Sequence, residues 1–437
     1  MRFRNPLAVT EAFLHYVWQF QYFEKNSLLT TTGDPVTVFS TGFRNSHSGP
    51  DFFQARVRLG DIEWIGSVEI HIFSSGWIDH QHNTDPAYDN VVLHVVWKND
   101  LPVSRTDGSL IPTLELGSRI NDSLVLQYAR LMRNPEPVPC TGLLPIVRDI
   151  VKYDMLDYAL TERLEIKAGS IIRRLNRNNN DWEETAYQTI MKNFGFMVNG
   201  EPFLQLAQAL PFKVLMRHAD KSDQVEALMF GQAGFLQEDI RVDPYYLTLR
   251  REYLLLARKY QLYERRINKL QWRFLRLRPA NFPTLRIAQS AALLHHRRNF
   301  FSHLIDCRSA QDLRDFFNVG QSPYWLKHYH FFKTQRQEVS QLGDASIDNI
   351  IINSVIPILV AYGKSRKEDL HVERAVAILQ SVHPESNMIT RHWKQLGFTV
   401  KSAFDSQALV QLNNGYCLRR RCLDCKIGAS IVNPSVT

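Results

Sequence analysis

The chain has 437 residues, a net charge of +8 at neutral pH, 44% hydrophobic residues and 22% charged residues. These values are typical of globular proteins, so they exclude collagen-like, coiled-coil and disordered chains, and the length suits about two or three domains. The longest uncharged stretch, 349–363, contains Asn, Ser and Pro and predicts a buried helix. The first ten residues lack the apolar segment of a secretory signal. We therefore expect a cytoplasmic protein that does not bind a membrane.

The first 118 residues show short alternating patterns that are typical of a small α/β domain. A helix is predicted over 7–23, with Thr10 at its N-cap position. Strands are predicted over 36–41, 52–59, 62–72 and 91–97, with shorter ones near Val103 and over 112–116. The Gly60-Asp61 pair between the second and third strands predicts a tight hairpin.

Residues 119–437 show helical spacing of apolar residues almost throughout. The predicted helices cover 153–175, 182–194, 202–215, 245–270, 285–294, 347–362, 370–380 and 402–412. No repeat of fixed period occurs, so a regular solenoid is not expected. The sequence therefore predicts an α+β protein with an α/β domain at 1–118 and a mostly helical region at 119–437.

Five of the 15 histidines lie within 48 residues of the predicted α/β domain. They are His47, His71, His80, His82 and His94. Glu69 and His71 are two residues apart on one predicted strand, so their side chains point to the same face. A charged pair on a buried strand is costly without partners or a metal ion.

Two interpretations of this cluster remain open. His80 and His82 form a His-x-His pair in the loop after the strand, and such pairs are common metal ligands. Alternatively, the acids and histidines form a buried polar network that orients the strands. His94 lies inside a predicted strand, and we expect it to be a hydrogen-bonded core histidine.

The segment Gly49-Pro50-Asp51-Phe52, followed by a hairpin and by Glu69-Ile70-His71, resembles the PD-(D/E)xK nuclease superfamily. The resemblance implies an α-β-β-β-α-β core in which Asp51 and Glu69 bind Mg²⁺ or Mn²⁺. His71 occupies the position of the usual lysine, where it would act as a ligand or base. The insert over 73–90 is short for the next helix of that core. The resemblance thus predicts Asp51, Glu69 and His71 as catalytic residues.

A cysteine cluster lies near the end of the chain, at 417–425. Cys417, Cys422 and Cys425 have the spacing Cys-x4-Cys-x2-Cys, which serves iron–sulphur clusters of the plant ferredoxin kind and also Zn²⁺. Cys140 is the first candidate for a fourth ligand, with Cys307 and His392 as alternatives. Reduced structural or redox-active thiols are the competing interpretation. The combination of such a cluster with a nuclease-like core resembles iron–sulphur nucleases of recombination and CRISPR adaptation.

Basic residues are concentrated in one segment, 250–298, which has 13 Arg or Lys and only two acids. Concentrated positive charge is typical of surfaces that bind a polyanion, and Arg can also stack on bases. The richest part contains four candidate nucleic-acid contacts: Arg273, Arg276, Arg278 and Arg286. The alternative is a set of arginines whose stems cover apolar surface or that pair with acids elsewhere in the fold.

Several blocks spread along the chain resemble an uncharacterised bacterial family, a domain of unknown function. They include Gly49-Pro50-Asp51-Phe52, Leu93-His94-Val95-Val96 and Cys422-Leu423-Asp424-Cys425. This resemblance implies no activity. No Walker loop, nucleophile elbow or dinucleotide fingerprint occurs in the sequence.

Three functions are therefore compatible with the sequence. The first is a metal-dependent, nuclease-like protein that acts on nucleic acid or binds it. The second is a non-catalytic nucleic-acid-binding or scaffold protein with a structural metal site. The third is a metal-dependent phosphoesterase with a small substrate, because the same ligands would serve it.

Overall fold

The computed structural model describes residues 9–45, 47–237 and 243–433. The chain divides into two compact units, one formed by 1–155 together with 412–437 and the other by 156–411. The predicted boundary after residue 118 lies inside the first of these units. Within this unit the helix over Asp122–Arg133 contacts the C-terminal helix, and its Tyr128 stacks on Phe13. Such long-range packing leaves no local pattern in the sequence.

The first unit contains a mixed β-sheet that follows helix α1 (Glu11–Gln19). Its strands are β1 (Val36–Ser40), β2 (Phe43–Arg44), β3 (Phe52–Leu59), β4 (Ile62–Phe73), β5 (Val91–Lys98) and β6 (Thr113–Glu115). The order in the sheet is β1-β3-β4-β5-β6, and β2 pairs with β3. β3 is antiparallel to β1 and β4, whereas β4-β5 and β5-β6 are parallel pairs. The strands predicted over 36–41, 52–59, 62–72, 91–97 and 112–116 are therefore confirmed, and the predicted helix is present but shorter than 7–23. The short strand predicted near Val103 is wrong, since that region has only an isolated bridge between Ser104 and Leu110, and β2 was not predicted.

Local chemistry explains the start of α1 and the β3-β4 hairpin. The Thr10 hydroxyl accepts a hydrogen bond from the Phe13 amide at 3.3 Å and so caps the helix. Gly60 has a φ of +59°, a backbone conformation that glycine adopts without strain. The two-residue turn sets the register in which Leu59 faces Ile62 across the hairpin.

The crossover from β4 to the parallel strand β5 is short. It contains the single-turn helix α2 (Gly76–Asp79) and two 3₁₀ turns, His82–Thr84 and Pro86–Tyr88. After β6 come α3 (Asp122–Arg133), a 3₁₀ segment over Thr141–Ile146 and the start of α4 (Asp149–Arg177). The crossover therefore consists of compact turns, and these turns carry His80 and His82.

In its described residues the second unit is built mainly from helices joined by loops. After the end of α4 its helices are α5 (Trp182–Phe194), α6 (Phe196–Ala209), α7 (Phe212–Met216), α8 (Ser222–Gln232), α9 (Pro244–Tyr260), α10 (Pro283–His296), α11 (Phe300–Asp306), α12 (Ala310–Phe317), α13 (Asp344–Ile350), α14 (Ile356–Arg366), α15 (Asp369–Ser381), α16 (Met388–Gln395) and α17 (Ala403–Gln411). An α/β part followed by a larger helical region is the predicted α+β architecture.

One predicted helix, 245–270, is shorter in the structure. α9 ends at Tyr260 because Gln261 has a left-handed backbone, with φ +54°. Residues 261–282 then form loops and 3₁₀ turns, Tyr263–Arg265, Lys269–Gln271 and Pro279–Asn281. Much of the basic segment is therefore irregular backbone instead of helix.

The helical run Asp344–Arg366 is apolar and long enough to span a membrane by composition alone. It comprises α13, a π-helical turn over Ile351–Val355 and α14. However, 72% of its most apolar window is buried inside the protein. Such burial is typical of a core helix, and it matches the buried helix predicted over 349–363.

The C-terminal segment belongs to the first unit. It begins with a π-helical turn over Leu412–Cys417 and ends in helix α18 (Lys426–Val432). The Tyr16 hydroxyl donates a hydrogen bond to the Ala429 carbonyl at 3.4 Å, and Arg44 forms an ion pair with Asp424 at 3.1 Å. These contacts hold the segment against α1 and β2.

Candidate metal centre

The polar cluster is built on the two central parallel strands of the first unit. Glu69 on β4 lies in register with His94 on β5, and His71 follows two residues after Glu69 on the same face. All three side chains are buried, with 5% of Glu69, 2% of His71 and 0% of His94 exposed. Because Val68 and Ile70 fill the core on the opposite face, these polar groups have a fixed direction.

Asp51 is held next to Glu69 by reciprocal contacts at the start of β3. The Asp51 amide donates to Glu69 Oε2 at 3.1 Å, and the Ile70 amide donates to Asp51 Oδ2 at 2.9 Å. His15 on α1 completes this side, since its Nε2 lies 3.2 Å from Asp51 Oδ2. Two carboxyl groups therefore lie side by side at the ends of a hairpin that the sequence already predicts.

The other carboxylate oxygen of Glu69 faces imidazoles. His82 Nε2 lies 3.2 Å and His71 Nε2 lies 3.8 Å from Glu69 Oε1. His71 bridges two more rings, with Nδ1 at 2.9 Å from His94 Nε2 and Nε2 at 3.1 Å from His80 Nδ1. One carboxylate and three imidazoles thus converge at one point, with a fourth imidazole behind them.

The short crossover positions His80 and His82. Gln81 between them has a φ of +61°, so the chain turns sharply and both imidazoles are directed to His71. Tyr88 stacks on His82 with ring centroids 3.7 Å apart. Gly76 is required on the other side, because a Cβ atom there would lie 2.8 Å from the His71 ring.

Burial controls the protonation of the cluster. Burial, reinforced by the neighbouring imidazoles, lowers the pKa of His71 to about 3. Burial also lowers the pKa of His94 to about 3. Burial raises the pKa of Glu69, the adjacent Asp51 carboxylate raises it further, and His82 opposes this shift. Neutral imidazoles with available lone pairs are the form in which histidine binds metal ions.

The residues present fit a metal ion. The ligand atoms of His71, His80 and His82 lie within 4.8 Å of one another, and Glu69 Oε1 adjoins two of these rings. In the described part of the chain, His82 Nε2 is buried without a well-aligned hydrogen-bond partner. A buried nitrogen needs a bonding partner, and a cation bound between His82 Nε2 and the Glu69 carboxylate would supply one. His80 is exposed, so the cluster opens to solvent on its side.

The structure brings together the five residues predicted at this site: Asp51, Glu69, His71, His80 and His82. His94 is buried and hydrogen-bonded to His71, as expected for a core histidine. Sequence reasoning did not find His15 as the partner of Asp51. It lies on the helix that precedes the sheet, and only its three-residue spacing from buried Trp18 hints at a partly buried position.

The predicted cysteine ligands belong to the same unit but form a separate group. Cys140, Cys417, Cys422 and Cys425 are all buried, and none of them forms a disulfide. The loop that leads to Cys140 is bonded to the C-terminal loop, because the Arg420 guanidinium donates to the Asn134 carbonyl at 2.6 Å. The two alternative fourth ligands, Cys307 and His392, lie in the second unit. Of the three candidates, Cys140 is therefore the one that the structure groups with the C-terminal cysteines.

The four arginines predicted to contact nucleic acid divide into two kinds. Arg273, Arg276 and Arg278 are exposed on the loop before α10. Arg286 on α10 is only 4% exposed, and its guanidinium donates to Gln289 at 2.9 Å and Asn281 at 2.7 Å. Arg286 faces the interior because α10 is buried on all sides from Pro283 to Leu294, so its guanidinium is engaged within the fold.

Comparison with known proteins finds no curated protein and no solved structure that matches the chain. The model of one family, described as "Protein of unknown function (DUF2851)", matches residues 11–388. The match includes the carboxylate–histidine cluster and Cys140, and it ends before the three C-terminal cysteines. Because it spans most of the 437 residues, the chain belongs to this family of proteins of unknown function.

Proposed function

We propose that this protein is a metal-dependent phosphodiesterase of the nuclease type. The observation that carries the proposal is the convergence of Glu69 with His71, His80 and His82, beside Asp51 at the start of the hairpin. A metal ion held beside carboxylates can polarise a phosphate ester and activate water for its hydrolysis. The order α1, β1, β3, β4, crossover and β5 supports the resemblance to PD-(D/E)xK nucleases.

Glu69 and the three imidazoles would hold the ion. Imidazole donors favour transition metals, so of the two predicted ions Mn²⁺ fits the mixed nitrogen and oxygen set better than Mg²⁺ does. The bound ion would lower the pKa of water and neutralise charge on the phosphate. His94 would act as a positioning residue, since its contact at 2.9 Å fixes the His71 ring.

Asp51 and His15 would handle the proton of the attacking water. Both side chains are partly exposed, at 25% for Asp51 and 15% for His15, and they lie on the Oε2 side of Glu69. A carboxylate or an imidazole within hydrogen-bond reach of the attacking water can act as its general base. The exposed arginines of the basic segment, Arg273, Arg276 and Arg278, would supply phosphate contacts.

The decisive experiment is a cleavage assay with Mn²⁺, Zn²⁺ and Mg²⁺ on single- and double-stranded DNA and RNA. We expect Mn²⁺-dependent turnover that Glu69→Gln lowers by more than about 100-fold, a typical effect for a group that acts in the transition state. Glu63→Gln is the matched control, because Glu63 lies on the same strand but forms an ion pair with Arg56 outside the cluster.

Three outcomes would contradict this proposal. Undiminished turnover by folded Glu69→Gln protein would show that the cluster is not the catalytic site. Salt-dependent binding of nucleic acid with no turnover under any metal would favour a scaffold whose cluster is structural. Hydrolysis of bis(p-nitrophenyl) phosphate without cleavage of any nucleic acid would instead indicate a phosphoesterase for small substrates.

A further inference from the structure

Four cysteines from distant parts of the chain are gathered inside the first unit. Cys140 and Cys417 are 277 residues apart in the sequence, and Cys422 and Cys425 follow shortly after Cys417. Their exposed fractions are 6–8%. A free cysteine is often buried alone as a small apolar residue. Four buried together, with no disulfide among them, require another explanation.

The loops that carry the cysteines are fastened to one another. The Arg420 guanidinium donates to the Asn134 carbonyl, and the Asn134 side chain donates to the Pro139 carbonyl at 2.8 Å. These two bonds connect the C-terminal loop with the residue directly before Cys140. Gly428 packs on the same loop so closely that a Cβ atom there would lie 2.1 Å from the Cys422 carbonyl oxygen. The grouping of the four cysteines is thus part of a tightly packed region.

The four side chains have the chemistry of metal ligands. All four cysteines are buried and free of disulfides. Thiolates bind Zn²⁺ and the iron of iron–sulphur clusters directly, so four buried thiols in one packed region are suited to a metal centre.

We propose that Cys140, Cys417, Cys422 and Cys425 bind one thiolate-coordinated metal centre that fastens the C-terminal segment to the loop before α4. The centre is a Zn²⁺ ion or an iron–sulphur cluster, the two centres that four thiolates commonly hold. All four ligand positions are filled by protein and buried, which makes the centre structural instead of catalytic. This inference is independent of the phosphodiesterase proposal, since it shares no ligand with the carboxylate–histidine cluster.

The test measures zinc, iron and acid-labile sulphide in full-length protein that is purified without oxygen. A His80→Ala/His82→Ala background removes the other candidate metal site. We expect about one zinc ion per chain, or iron with an equal amount of sulphide. Cys140→Ser in this background should lower that content at least tenfold. Cys307→Ser should leave it unchanged, because Cys307 belongs to the second unit.

A titration with an organomercurial tests the same centre without any cysteine variant. We expect zinc release, or bleaching of the visible absorption of a cluster, to follow modification of the four thiols. Zinc release and bleaching both support the proposal and distinguish the two centres. The proposal is overturned if the background protein contains neither metal while its thiols are reduced. It is also overturned if folded Cys140→Ser protein retains the full metal content.

Discussion

The carboxylate–histidine cluster and the cysteine group lie in the same unit but differ in how the chain builds them. The first uses side chains between Asp51 and His94, most of them fixed by adjacent strands and one short crossover. The second needs Cys140 and three residues from the far end of the chain. The first includes the exposed His80, whereas all four cysteines are buried.

If both proposals hold, this difference divides chemistry from stability between the two sites. A metal site that keeps an open side is able to admit a substrate, whereas a site closed by four protein ligands contributes its binding free energy to folding. The local cluster can therefore be altered at a cost in activity. The long-range group can be altered only at a cost in the stability of the first unit.

We expect the largest effect from Cys425→Ser, which should lower the stability of the protein. Loss of a structural metal centre removes about 10 kcal/mol or more of apparent binding free energy, so we expect the melting temperature to fall by about 10 °C or more. Differential scanning calorimetry of the anaerobic protein measures this change. Cys307→Ser is the matched control and should leave the melting temperature within about 2 °C of the wild type. An equal, small shift for both variants would contradict the division between the two sites.

The next largest effect is expected from Asp51→Asn, which should lower activity. The asparagine oxygen can still accept the hydrogen bond from the Ile70 amide, so the fold is retained while the charge is lost. We expect metal-dependent cleavage to fall by about 100-fold or more with the melting temperature nearly unchanged. Asp89→Asn is the control, since Asp89 accepts hydrogen bonds from Thr106 on the surface. A large loss of stability in Asp51→Asn would instead make Asp51 a structural residue.

The sequence predicted the sheet well because its signals are local. The strand over 52–59, the Gly60-Asp61 turn and the N-cap at Thr10 depend on residues that are neighbours in the chain. Glu69 and His71 were placed on one face for the same reason, by the two-residue period of a strand. His80 and His82 were predicted as a pair of ligands because they are only two residues apart in the sequence.

What the sequence could not predict is set by packing between distant residues. His15 reaches Asp51 only because α1 packs across the sheet, and no local pattern encodes that contact. Arg286 was grouped with its exposed neighbours because a run of arginines has the same appearance whether a helix face is buried or not. The end of α9 was missed because Gln261 adopts a left-handed backbone that is rare for glutamine.

A third prediction concerns the support of the His71 ring. A Cβ atom at position 76 would lie 2.8 Å from that ring, so Gly76→Ala must displace His71 or the crossover. We expect a loss of about 1–3 kcal/mol in the free energy of unfolding, the usual cost of overpacking, and weaker Mn²⁺ binding. Urea denaturation and calorimetric metal titration measure the two effects. Gly142→Ala is the control, since no atom lies within 4 Å of a Cβ there.

The smallest effect separates the exposed arginines from the buried one. If the basic segment binds nucleic acid, Arg276→Ala should reduce the slope of log K against log salt concentration by about 1 and leave stability unchanged. Arg286→Ala should leave the slope unchanged and lower the free energy of unfolding by about 1–3 kcal/mol, because Asn281 and Gln289 lose a buried partner. Fluorescence anisotropy at several salt concentrations, with urea denaturation of both variants, measures this contrast.

Two results would contradict this contrast. Equal slopes for the wild type and Arg276→Ala would show that Arg276 does not contact nucleic acid. A reduced slope for Arg286→Ala would show that α10 opens when nucleic acid binds.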